Sequence, residues 1–182
     1  KGLHQVLNAV ALLKNDFPDI KVRVAGTNII NRNTLIDRFK ITGFGSYVYK
    51  LINRLDLSKQ VVFTGILSEK EMIKEYLSAH LFICPSSIEN SPNSLGEAQI
   101  LGVPTIASFV GGVVDMVEHG KTGLLYRFEE IEMLTEQIRS IFNSPQLAQE
   151  LSKQGIIAAA QRHNQVTNRD QMMQIYSLIA GM

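Results

Sequence analysis

The stretch Leu81-Phe82-Ile83-Cys84-Pro85-Ser86-Ser87-Ile88-Glu89-Asn90-Ser91-Pro92-Asn93-Ser94-Leu95-Gly96-Glu97-Ala98 decides how this chain is read. It opens on a short apolar run, Leu81 to Cys84, stopped by a proline, the pattern of a buried strand. Glu97 to Leu101 reads as a helix closed by Gly102 and Pro104. Glu89 therefore falls in a strand-to-helix loop, and Glu97 in the first turns of the helix after it. That order puts both carboxylates at the carboxyl edge of a parallel sheet, where α/β proteins bind ligands. Carboxylates accept hydrogen bonds from paired hydroxyls, and a helix amino terminus offers N–H groups to an anion. The combination suits a polyol attached to a phosphate.

On both sides of this stretch, strands alternate with helices. Leu3, Val6, Leu7, Val10 and Leu13 recur at helical spacing and predict a helix from about Gly2 to Asn15. Phe17-Pro18-Asp19 breaks it, and a β-branched strand, Ile20 to Ala25, ends at Gly26. Thr27 to Gly45 is polar and rich in asparagine, a long loop with a short helical piece around Leu35 to Phe39. Tyr47 to Leu55 resumes helical spacing, Val61 to Gly65 is a strand and turn, and Ser68 to Glu71 has the pattern of a capped helix start. Pro104 to Ser108 and Leu124 to Tyr126 read as strands, with a short helix, Val113 to Glu118, between them. From Glu129 onward the chain is mostly helical, with breaks near Ser144-Pro145 and His163 and a last helix from about Asn168.

Such alternation implies an α/β, Rossmann-like parallel sheet with helices on both faces. One element is out of place. In the Rossmann order the first strand is central, yet this chain opens on a helix. The expectation is that a strand belongs just upstream of Lys1, and that residues 1–182 form one domain whose sheet is interrupted in the middle.

Composition bounds the rest. Hydrophobic residues make up 45% and charged residues 19% of 182, a globular balance with room for a core. A net charge of +1 provides no global field to recruit nucleic acid, so no nucleic-acid partner is expected. The single cysteine, Cys84, excludes an intrachain disulfide and reads as an inert buried thiol. Asp16, Asp19, Asp37 and Asp56 are scattered, and His119 and His163 lack metal-ligand partners, so no metal and no cofactor are expected. The four histidines have surface or capping roles by default, and Phe44, Tyr47 and Tyr49 have spacing commoner in core packing than in a pocket. The chain begins at Lys1 rather than methionine and is read as a fragment.

The two glutamates separated by seven residues are followed by Ala98, Gly102 and Pro104. Together with Lys1-Gly2, Gly26, Val61 to Gly65, Gly111-Gly112 and Gly120 to Gly123, they give nearly the whole chain a frame. That frame resembles the carboxy-terminal, donor-binding domain of the group 1 (family 4) retaining glycosyltransferases of the GT-B fold. The resemblance implies that Glu97 holds the ribose hydroxyls of a nucleotide, and that Glu89 lies near the transferred sugar and its phosphate. It implies that Asn93 and Ser94, with Pro92 and Leu95 beside them, form the loop whose amides face the distal phosphate. Lys1 matches a lysine that neutralises the diphosphate leaving group, together with an upstream arginine. The resemblance also puts Gly26 and Gly65 in the donor site, Gly65 either letting a nucleotide approach the strand end or merely forming a turn, with Val61 to Leu67 as the wall that faces the base. Gly111 and Gly112 stand either near the donor phosphates or simply in a positive-φ turn. Asn90-Ser91 and Gly96 depart from the usual glycine-plus-apolar pair and larger apolar residue.

The implied reaction moves a hexosyl group from a UDP- or GDP-sugar to a glycan or lipid-linked acceptor, with retention and without a metal or protein nucleophile. The chain would supply the donor site, and a separate amino-terminal domain of the same enzyme most of the acceptor site. A cytoplasmic location, or one at the inner face of the plasma membrane, goes with that chemistry. The alternative is a non-catalytic nucleotide-sugar-binding or assembly module of the same fold. A dinucleotide oxidoreductase is disfavoured because no Gly-x-Gly-x-x-Gly follows an early strand.

Overall fold

The computed structural model describes residues 2–30 and 43–181. The helical piece expected at Leu35 to Phe39 and the side chain of Lys1 lie outside them. The described elements run α1 (Leu3–Leu13), β1 (Val22–Ala25), α2 (Gly43–Arg54), β2 (Val61–Gly65), α3 (Glu69–Ser78), β3 (Phe82–Cys84), α4 (Asn93–Ile100), β4 (Thr105–Ser108), a 3₁₀ turn (Gly111–Asp115), β5 (Leu124–Tyr126), α5 (Ile131–Asn143), α6 (Pro145–Arg162) and α7 (Gln165–Ala180).

All strand pairs are parallel, and they fall into two sheets. One is β1–β2, with Val22 opposite Val61 and Val24 opposite Phe63. The other is β3–β4–β5, with Ile83 opposite Ile106 and Ala107 opposite Leu125. Among the described residues β1 and β3 each pair along one edge only, which leaves two separate parallel sheets.

Side chains alternate across a strand, and β4 shows what each face meets. Ile106 points into a core built by Val6, Leu7 and Val10 of α1, Val48 and Leu51 of α2 and Leu134 and Ile138 of α5. Ala107 points the other way, toward Leu95 of α4 and Val113, Met116 and Val117. All four residues of β4 are buried, as expected for an inner strand covered on both sides. Helices α1, α2 and α5 thus occupy one face, and α4 with α6 packed on it the other. The fold is α/β and Rossmann-like.

Two boundaries move in ways that matter for the site. Helix α4 starts at Asn93 rather than near Glu97, because Pro92 sits extended at φ −70°, ψ 110° as its cap and a proline carbonyl can open a helix without needing an N–H. Glu97 is consequently in the second turn, and Asn93 and Ser94 are the first helical residues. Helix α7 starts at Gln165, because the Asn164 side chain accepts from the Thr167 amide at 3.1 Å. None of α7 is buried. The expected caps on α3 are present: Glu71 Oε2 accepts from the Ser68 amide at 2.8 Å. The Ser68 hydroxyl, which also donates to Glu71, and then that amide hold the Glu71 carboxyl below its ordinary range. Cys84 is buried at the end of β3.

Candidate functional site

The chain turns sharply at the end of β3, and three contacts set the path of the loop that follows. Gly2, the cap of α1, packs so closely on Pro85 that a β-carbon there would overlap the Pro85 carbonyl. The amino end of α1 is thereby brought against the loop. Ser108, fully buried at the end of β4, donates its hydroxyl to the Ser86 carbonyl. The buried Ser86 hydroxyl in turn donates to Glu89 Oε1 at 2.7 Å. A glutamate in a strand-to-helix loop would ordinarily drift in solvent; here it is half-buried and aimed by a buried serine.

From the other side, Gly111 and Gly112 lie directly under this loop. The Gly112 amide donates to the Glu89 carbonyl at 3.3 Å. A β-carbon on Gly111 would overlap that same carbonyl, and one on Gly112 the carbonyl of Asn90. Gly111 also takes φ +46°, a region that favours glycine. Backbone-to-backbone packing on the Glu89 loop thus requires this pair, as well as the turn.

The loop delivers the chain to α4. The first-turn amides of a helix have no intrahelical acceptor and carry its positive end, and those of Asn93 and Ser94 are the first of α4, directly after the loop that holds Glu89. The start of α1 adds a second positive helix end at Pro85. One turn along α4, Glu97 is exposed, and its Oε2 lies 3.1 Å from the hydroxyl of buried Tyr76 on α3. Burial, reinforced by the Glu97 charge, raises the Tyr76 phenol above its usual range, so the hydroxyl stays a donor.

The ends of β1 and β2 form the remaining rim. The Gly26 amide donates to the Gly65 carbonyl at 2.9 Å, and the two glycines have φ +113° and +79°. Among the described residues, a β-carbon on either would meet no atom within 4 Å. Ile66, next to Gly65, is 84% exposed on that rim, and Ile88 is 85% exposed beside Glu89. A shallow cavity of about 280 Å³ also opens at the carboxyl ends of β3, β4 and β5, lined by Ser87, Phe109, Val110, Arg127, Phe128 and Glu129.

The structure therefore groups Glu89 with Ser86, Gly111 and Gly112, groups Glu97 with Ser94 and Tyr76, and pairs Gly26 with Gly65. Pro92 caps α4 and Leu95 anchors it, fully buried. Lys1 lies outside the described residues. Sequence reasoning passed over Tyr76, Ser86 and Ser108. It also missed a polar knot behind α4: Gln99 Nε2 donates to the carbonyls of Met116 and Thr122 at 3.3 and 3.2 Å. Arg162 at the end of α6 donates to Gln99 Oε1 at 2.6 Å and to the Met116 carbonyl at 3.0 Å. Gln99 is 1% exposed, and a buried polar residue in an apolar helix face is the signal that such a knot leaves in a sequence only once the face is known. No group of three His, Cys, Asp or Glu side chains that could hold a metal occurs among the described residues.

A family profile described as Glycosyl transferases group 1 matches residues 1–157. The chain belongs to the group 1 glycosyl transferases. The GDP-mannose-dependent alpha-mannosyltransferase of Corynebacterium glutamicum is 37% identical over 70 residues, 38% of this chain and 17% of that protein. The crystal structure of Anabaena HepE in complex with UDP-glucose superposes with a TM-score of 0.80 at 24% identity, covering 97% of this chain and 45% of that one. The carboxy-terminal domain of a group 1 glycosyl transferase, LpcC of Francisella tularensis, superposes with a TM-score of 0.73 at 18% identity, covering 90% of this chain and 80% of that one. This chain spans less than half the length of the curated relatives it matches.

Proposed function

We propose that this chain is the donor-binding half of a retaining glycosyltransferase that moves a hexosyl group from a UDP- or GDP-sugar to a glycan or lipid-linked acceptor. The observation that carries the reading is the meeting of two helix amino ends, α1 at Pro85 and α4 at Pro92, on one loop that holds Glu89. As the bond to the sugar breaks, negative charge grows on the leaving diphosphate, and preoriented amides stabilise that charge without reorganising. Lys1 is assigned to the same diphosphate, and the reaction needs no metal. Glu89 serves the sugar, steered by Ser86, and Glu97 serves the ribose hydroxyls. The acceptor attacks on the face the nucleotide leaves, assisted by the leaving phosphate, so no protein nucleophile is involved.

The nucleotide is kept to two candidates because a mannosyltransferase named for GDP-mannose and a structure holding UDP-glucose are both among the relatives. An amino-terminal domain supplies most of the acceptor site, and the enzyme works in the cytoplasm or at the inner face of the plasma membrane on cell-surface polysaccharide. The test is calorimetric titration of UDP- and GDP-sugars into the full-length protein and its Glu97→Ala variant. A charge-assisted contact contributes about 1.5–3 kcal/mol, so the variant is expected to bind the preferred donor roughly ten- to a hundredfold more weakly. Unchanged affinity would remove the ribose assignment.

A further inference from the structure

Helix α3 is solvated along most of its length, and Tyr76 is its one buried residue. The ring is 6% exposed, packs with Ala98 and Val103, and meets Phe82 edge-on at 5.6 Å between centroids. Such packing leaves the hydroxyl one position. It lies 3.1 Å from Glu97 Oε2 and 3.2 Å from the Ser94 carbonyl, with a single hydrogen to give. The Ser94 carbonyl is at the start of a helix and is already acceptor to an amide one turn on. The carboxylate is the stronger acceptor.

We propose that Tyr76 is a positioning residue of the donor site: its hydroxyl fixes one oxygen of Glu97 so that the other is presented to the nucleotide ribose. This rests on the assignment of Glu97 to the ribose made above. A free, exposed glutamate carries several rotamers, and a ligand that must order it loses affinity in doing so. Tyr76 orders the carboxylate before the nucleotide arrives. Because α3 follows β2 directly, the rim that ends in Gly65 and Ile66 and the carboxylate of α4 are held in one frame.

The experiment titrates UDP, GDP and their 2′-deoxy counterparts into the full-length protein and into Tyr76→Phe, Glu97→Ala and the double variant. Melting temperatures report whether each is folded; phenylalanine keeps the ring that packs on Phe82. The wild-type protein is expected to prefer the ribonucleotide. Tyr76→Phe is expected to lose about fivefold in affinity for the ribonucleotide, clearly less for the 2′-deoxynucleotide, which keeps only the 3′-hydroxyl, and nothing more once Glu97 is alanine. If Tyr76→Phe weakens both nucleotides alike, or keeps the full preference, Tyr76 serves only the fold and the inference is overturned. A wild-type protein that does not distinguish ribose from deoxyribose overturns the ribose assignment itself, a separate result. Should Tyr76→Phe not fold, Glu97→Asp, which draws the carboxylate back from Tyr76, is expected to lose the same preference, and its retention would overturn the inference equally.

Discussion

Replacing Gln99 by leucine perturbs the knot behind α4 at a point where the consequences are countable. The Gln99 amide gives to the carbonyls of Met116 and Thr122 and takes from Arg162. In Gln99→Leu the Met116 carbonyl keeps Arg162 Nη1 at 3.0 Å, but the Thr122 carbonyl and Arg162 Nη2 are left without these partners. Each orphaned buried group costs about 1–3 kcal/mol, more when charged. Arg162 belongs at the high end, since burial already disfavours its charge and lowers its pKa. The apolar surface gained by leucine offsets part of this, leaving a net loss of about 2–4 kcal/mol. For a chain of this size each kcal/mol moves the melting temperature by about 2–4 °C, so a fall of roughly 5–15 °C is expected in thermal unfolding followed by circular dichroism. The double variant Gln99→Leu with Arg162→Met removes the stranded charge and should recover part of the loss, because deleting both partners of a buried pair is milder than deleting one. A single variant that melts with the wild type, or a double variant whose losses simply add, would refute the reasoning.

Gly112→Ala should push the Asn90 carbonyl away, because an ordinary C···O separation is about 3.3 Å and the β-carbon would begin far inside it. A displacement of that order at Glu89 is expected to reduce transfer about a hundredfold, measured as product formed by the full-length protein. Gly43→Ala, where an added β-carbon meets nothing within 4 Å among the described residues, should leave the rate unchanged. His4 is ringed edge-on by Phe44, Tyr47 and Phe128 at 6.0–6.2 Å, its buried Nδ1 has no hydrogen-bond partner among the described residues, and burial lowers its pKa. The unfolded chain then binds the proton more readily, so this contribution to stability is full above the ordinary imidazole value of about 6.5 and is lost as pH falls through the folded pKa. Melting temperatures between pH 7 and 5 (about one unit either side of the unperturbed imidazole value) should fall less steeply in His4→Phe; equal slopes would count against it.

Much of the architecture was legible because strands and helices leave different periods. Val61 to Gly65 and Leu124 to Tyr126 appear as read, and the Ser68–Glu71 cap is present. Boundaries slipped where two local signals compete. Gly43 and Gly45 looked like loop residues, yet α2 begins at Gly43, because the helix gains its stability from Val48, Leu51 and Ile52 in the core. The start of α7 was misplaced because Asn164 and Asn168 are equally good caps and no buried face sets the phase between them. At the site, Glu89 and Glu97 stand out through spacing and residue type. Their supports do not: Tyr76 reaches Glu97 across 21 positions and Arg162 reaches Gln99 across 63. Such pairings come from packing of separate helices, which no local period encodes. Nor did the sequence distinguish a glycine pair that turns the chain from one that lies under a carbonyl, since both demand the same residue.

The solvated last helix has a consequence for how the protein behaves at high concentration. Val166, Met172, Met173, Ile175, Tyr176, Leu178 and Ile179 are each more than half exposed. Sixteen residues with that much uncovered hydrocarbon form a sticky rod, and the net charge of +1 offers almost no electrostatic repulsion between molecules. Self-association at high concentration is therefore expected to run through α7 without any melting of the core, and buffers or partners that shield that rod should raise solubility.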